Sequence, residues 1–292
     1  MVSCRLQMLT SIFICDTMTK ILTGGTVMTY GFIGSGNMGG AIATAVCRAV
    51  NPQDVLLANR TMAKAEALAE KLGCRVGTNE DAAMCDFVFL GVKPYFMRDM
   101  LAQLQDLLAS RKDSFVLVTM AGGVSVASIQ EMAGGKYPVI RMMPNTPSGV
   151  GAGMIQYCTD GVSEEQIQQF LTAMAPAGRL DAIAENLIDA ASCVSGCGPA
   201  WAYQFVEALA DGGVACGLPR AKAMEYAAQM LLGSAKLVLE SNQHPGALKD
   251  AVCSPGGATI QGVRALENHG FRAGVMEAVI AAYEKTVVMG KV

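Results

Sequence analysis

Histidine is nearly absent from this chain of 292 residues, which carries only His244 and His269, and tryptophan occurs once, as Trp201. The ten cysteines are scattered and form no CxxC pair. Cys193 and Cys197 stand near each other among Ala, Ser and Gly, where small thiols serve as packing. The expectation is no metal site, and free thiols in a reducing cytoplasm. Charge is scarce as well: charged residues make up 16% of the chain and the net charge is −3. No basic patch of the kind that binds nucleic acid is present. No apolar run reaches the roughly 20 residues that span a bilayer. What is abundant is apolar and small: hydrophobic residues reach 52%, with 32 glycines and 19 methionines. That composition excludes disorder, and the length allows two domains. So little charge also implies apolar surface buried between subunits.

Residues 1–27 read as an extension outside the fold, an effect of start-site choice rather than a domain. The apolar stretch from Met8 to Cys15 is short, is interrupted by Thr and Ser, and precedes no A-x-A cleavage site.

The organised chain opens with Tyr30-Gly-Phe-Ile33, then Gly34-Ser-Gly-Asn-Met-Gly39, then a helical stretch from Ala41 to Val46. Strand, glycine-rich turn and helix in that order form a dinucleotide-binding fingerprint. Gly34 suits the tight turn, Gly36 allows close approach of a pyrophosphate, and Gly39 lets helix and strand pack closely. Ser35, Asn37 and Met38 fill the same turn, and the helix start offers unpaired N–H groups. A purely structural glycine turn is the plainer alternative.

Strands are expected over 54–59, 74–77, 86–92, 114–120 and 138–143, and helices over 62–72, 95–108 and 125–132. Such alternation builds a mainly parallel sheet. A strand over 149–157, a helix over 164–174 and a strand over 179–183 follow. Beyond Asn186 only helices are expected, chiefly over 199–216, 219–240 and 271–289. The fold class is therefore α/β: a Rossmann-type domain over 28–186, then an all-α domain over 187–292.

The second strand ends at Asn59, followed by Arg60 and Thr61, where NAD-preferring relatives of this fold carry an acid. Arg60 can pair with a 2′-phosphate, and Asn59 can add a hydrogen bond. The expected cofactor is NADP(H), with NAD(H) left open. Arg60 as an ordinary surface residue is the alternative.

Five motifs in order along residues 30–290 give the chain a specific likeness: Gly31 to Gly39, Val92-Lys93-Pro94, Met143-Pro-Asn-Thr-Pro147, Ser195-Gly-Cys-Gly-Pro199 and Asp250 to Ile260. The sequence resembles the pyrroline-5-carboxylate reductases, the last step of proline synthesis. Cys197 departs from the Ser common in that family. The resemblance implies hydride transfer from NAD(P)H to the C=N carbon of a cyclic imino acid. It implies a substrate carboxylate held by Ser254, Gly257, Ala258 and Thr259, with the Thr259 hydroxyl at the ring nitrogen as the catalytic contact. It places Val92, Lys93, Pro94, Asn79, Ala121 and Gly122 beside the cofactor, and Asn145 and Pro147 around the nicotinamide. It also implies a cytoplasmic homodimer or larger assembly, up to a decamer of dimers, with neither nucleic acid nor membrane as partner. The bland alternative for 254–259 is a glycine-rich helix start with Ser as its cap. A β-hydroxyacid dehydrogenase is a second reading, but Gly196-Cys-Gly-Pro199 is followed by no Lys before Lys222. A non-catalytic NADP-binding regulator is a third.

Overall fold

A computed structural model describes residues 27–289. The leader expected over 1–27 lies outside the described residues apart from Val27.

Eight strands form one sheet in the order β3-β2-β1-β4-β5-β6-β7-β8. They are β1 (Tyr30–Ile33), β2 (Val55–Ala58), β3 (Arg75–Val76), β4 (Phe87–Leu90), β5 (Val116–Thr119), β6 (Val139–Met143), β7 (Gly153–Asp160) and β8 (Gly178–Ala182). The first six run parallel; β7 is antiparallel to β6, and β8 is parallel to β7. Strand order reverses between β1 and β4, so a crevice opens beyond their C-terminal ends.

The apolar runs read in the sequence are continuous because both sheet faces are covered. Tyr30, Phe32, Phe87 and Phe89 point to one face, where they meet α1 (Asn37–Ala49), α2 (Met62–Leu72) and α6 (Glu164–Met174). Ile33, Val88, Leu90 and Leu117 point to the other, under α3 (Asn79–Ala83), α4 (Pro94–Ser110) and α5 (Val126–Ala133). Rings on neighbouring strands stack, Phe32 on Phe89 at 4.4 Å and Tyr30 on Phe87 at 5.4 Å. Burial, helped by Asp86 and Asp54, pushes the Tyr30 hydroxyl up to about 12.

Two local differences from the sequence reading have a physical cause. The strand expected to begin at Gly149 begins at Gly153, because Thr146–Val150 forms a 3-10 turn that Gly151 closes at φ 77°. A helix not named from the sequence, α7 (Glu185–Ser195), buries Ile188, Ser192 and Cys193 against β7 and the last helix. The remaining helices are α8 (Gly198–Ala215), α9 (Arg220–Ser241), α10 (Pro245–Ala251), α11 (Ala258–Asn268) and α12 (Phe271–Met289). The first two of these form an antiparallel hairpin. Along α9 only Ala223 and Ala227 are buried.

Candidate active site

Register aligns the strand ends that build the crevice. Ile33 pairs with Ala58 on one side and Leu90 on the other, and Leu90 pairs with Thr119. The segments starting at Gly34, Asn59, Gly91 and Met120 therefore form one rim. The sequence-predicted residues of the sheet domain lie on it, with Asn79 in the first turn of α3, beyond the end of β3.

The glycine-rich turn is locked by backbone contact. Gly34 has φ 97° and donates its N–H to the Ala58 carbonyl at 2.8 Å. A Cβ on Gly39 would lie 2.1 Å from the Gly34 oxygen, and one on Gly91 would lie 2.3 Å from it. These glycines are explained by the protein's own packing. Gly36 is not: at the start of α1 it has φ −71°, and a Cβ there would meet nothing within 4 Å. The space is open, and no backbone angle demands glycine. Beside it the Ser35 hydroxyl is buried and has no partner among the described residues. An open glycine, an unsatisfied hydroxyl and free helix-start N–H groups fit an anion such as a pyrophosphate.

Arg60 is exposed at the end of β2, and its guanidinium sits over the Phe96 ring at 5.0 Å. Asn59 donates to the Thr61 carbonyl at 3.3 Å. Tyr95, 72% exposed, packs on Phe96 at 4.3 Å. Sequence reasoning missed this aromatic pair; its signal was two adjacent rings at a helix start, immediately after Lys93-Pro94.

Ala121 is buried and Gly122 half-buried, both in the loop after β5. Asn145 is spent on structure: it donates to the Ser195 carbonyl at 3.0 Å and accepts from the Met154 N–H at 3.1 Å. It thereby ties β6 and β7 to the end of α7.

The second cluster is separate. The turn 252–257 joins α10 to α11, with Gly256 at φ 71° and the Gly257 N–H bonded to the Ser254 carbonyl at 3.0 Å. A Cβ on Gly257 would lie 2.4 Å from the Ser254 hydroxyl oxygen. No side chain caps α11, so its first N–H groups are unpaired beside Ala258 and Thr259. Ser254, Ala258 and Thr259 are exposed. Among the described residues, no hydrogen bond links residues 252–270 to the sheet domain. One chain does not bring the two clusters together.

A cavity of about 580 Å³ lies elsewhere, between α5, β7 and the start of α7, lined by Gln130, Cys158, Asp160 and Glu185. None of the sequence-predicted site residues faces it. Burial, with the Glu185 charge nearby, pushes the Cys158 thiol up to about 11.

Residues 185–289 match the family model described as pyrroline-5-carboxylate reductase dimerisation, and residues 29–122 match NADP oxidoreductase coenzyme F420-dependent. The pyrroline-5-carboxylate reductase of Escherichia coli (strain K12) is 41% identical over 266 residues, 89% of this chain and 98% of that protein. The chain belongs to the pyrroline-5-carboxylate reductase family. Two solved structures agree. Plasmodium falciparum pyrroline carboxylate reductase, with NADP bound, is 32% identical with a TM-score of 0.81, covering 90% of this chain and 98% of that one. The Streptococcus pyogenes enzyme is 30% identical with a TM-score of 0.80, covering 89% and 98%. The glycine-rich turn thus falls in the oxidoreductase match and the exposed turn at 254–259 in the dimerisation match.

Proposed function

We propose that this protein reduces 1-pyrroline-5-carboxylate to L-proline, with NADPH as the favoured reductant and NADH as a second. The observation that carries the reading is the crevice at the β1/β4 switch point, where Gly36 and the Ser35 hydroxyl await an anion, in a chain of this family. Residues 28–186 form the cofactor domain in this reading, and residues 187–292 the substrate and dimerisation domain. Gly34 to Gly39 would hold the pyrophosphate, and Arg60 with Asn59 the 2′-phosphate. Asn79, Val92, Lys93 and Pro94 would flank the adenosine end, and Ala121 and Gly122 the nicotinamide. When bound, the cofactor supplies the hydride.

The protein's own groups have a modest task. A cyclic imine is basic enough to take up a proton from water near neutral pH, so no strong acid is needed to activate it. The free N–H groups at the start of α11 bind the carboxylate, and the Ser254 hydroxyl supports them. The Thr259 hydroxyl orients the ring nitrogen. Because these groups are exposed and, among the described residues, joined to the crevice by no hydrogen bond in one chain, a neighbouring chain's crevice completes the site, which makes the active form a homo-oligomer. A dimer is the minimum, and a decamer of dimers is the larger form proposed. Among the described residues no helix is long and apolar enough to cross a membrane. The described cysteines are free thiols, in keeping with a cytoplasmic enzyme.

The test follows NADPH absorbance in three mixtures: NADPH with pyrroline-5-carboxylate, where oxidation lowers it, NADPH with no substrate, and NADP with a β-hydroxyacid, where turnover would raise it. Turnover is expected in the first case only. Thr259→Val should lower kcat/KM roughly tenfold while leaving NADPH binding intact, since an unsatisfied buried partner costs about 1–3 kcal/mol. Turnover of the hydroxyacid alone, or cofactor binding without turnover, would overturn the reading.

A further inference from the structure

Strand β6 buries a charge within an otherwise apolar run, Val139-Ile-Arg-Met-Met143. The Arg141 side chain is 3% exposed, and a guanidinium is kept in such a place only with partners. Its Nη1 lies 3.3 Å from Glu185 Oε1 and its Nη2 lies 2.6 Å from Asp189 Oδ1. Both acids belong to α7, one helical turn apart, so one face of that helix meets the guanidinium.

The same two oxygens do a second job. Glu185 Oε1 accepts the Val126 N–H at 2.7 Å, and Asp189 Oδ1 accepts the Gly123 N–H at 3.4 Å. Thr119, the register partner of Arg141 and fully buried, accepts the Ala121 N–H at 3.3 Å through its hydroxyl. Two backbone N–H groups of the loop from β5 to α5, and the first N–H of α5 itself, are therefore held by side chains. Two of those side chains come from the first helix of the dimerisation segment. This loop carries Ala121 and Gly122.

We infer that Arg141, Glu185 and Asp189 are positioning residues that fix the Ala121–Gly123 loop against the helical domain. They set where the reacting end of the cofactor lies relative to the substrate, without touching either. The inference rests on the reading in the preceding section. Its specific consequence is that the hydride step depends on this triad while cofactor affinity does not. The phosphate contacts proposed for Gly34 to Gly39 and Arg60 belong to other strand ends.

The experiment uses the full chain with NADPH and with NADPH deuterated at the transferred position. Arg141→Met and Asp189→Ala should lower kcat by about tenfold or more, since small misplacements of reacting atoms cost that much. The Kd for NADPH should stay within about threefold, and the deuterium isotope effect on kcat should rise as hydride transfer becomes limiting. Arg141→Lys, which keeps one ion pair, should recover part of the rate. Asp189→Asn, which keeps the size of the side chain, serves if the larger changes unfold the protein. The inference is overturned if activity falls only in step with the folded fraction at an unchanged isotope effect, or if NADPH affinity falls in parallel. A wild-type enzyme inert toward pyrroline-5-carboxylate would overturn the underlying reading instead.

Discussion

Arg60 is the residue proposed to set cofactor choice. Its guanidinium lies on the Phe96 ring at 5.0 Å, a cation–π contact that holds the planar group at the rim of the crevice. A 2′-phosphate there would gain a charge-assisted pair worth roughly 1.5–3 kcal/mol. Arg60→Ala should therefore raise the KM for NADPH by about tenfold or more, with little change for NADH. Equal effects on both cofactors, in parallel initial-rate measurements, would remove Arg60 from that role. The position stands out in the sequence because an acid is missing at the end of the second strand. Phe96 does not, since only the fold brings the start of α4 close to the residue that follows β2 and so puts the ring under the guanidinium. Arg141 left a trace, a charge inside an apolar strand, but its partners lie on a helix that the sequence did not announce.

At the scale of elements, the decisive unit is β1, its turn and α1. Gly34, Gly39 and Gly91 mesh backbone to backbone, so a methyl at Gly39 collides with a carbonyl that no rotamer change can move. Gly39→Ala should destabilise the protein by roughly 1–3 kcal/mol or more. In thermal melts that corresponds to a loss of about 2–4 °C for each kcal/mol in a chain of this size. Gly36→Ala has open space and a tolerant φ, so it should lose less stability and more NADPH affinity. Reversed rankings in melting and cofactor titration would contradict this division of roles. The parallel strands were legible because a run covered on both faces is apolar throughout. The start of β7 was not, because the sequence Gly149-Val-Gly reads equally well as strand or turn, and Pro147 with the left-handed Gly151 settles it as a turn. The short helix α3 also escaped notice; its five residues are too few for a periodic pattern, and its sign is the Thr78–Asp81 capping box.

At the scale of the molecule, the helical half is unfinished as a single chain. Leu232, Leu237 and Leu239 on α9 are 62%, 53% and 68% exposed, and Met276 on α12 is 63% exposed. Apolar area of that extent marks an interface. Sedimentation at working concentration should show a dimer or larger, and Leu232→Glu with Leu239→Glu should weaken it and reduce activity together. A fully active monomer would contradict the two-chain site. The order of the halves was legible in the change of texture near residue 186. How they complete each other was not, because the proposed contact lies between chains rather than along one. The exposed turn at Ser254 to Thr259 also bears on inheritance. A chain damaged at Arg60 still carries a sound substrate turn, and a chain damaged at Thr259 still carries a sound crevice. In a cell making both, some mixed pairs of the proposed two-chain site would bring the two sound halves together, so two alleles that each impair proline synthesis alone would partly complement each other when combined.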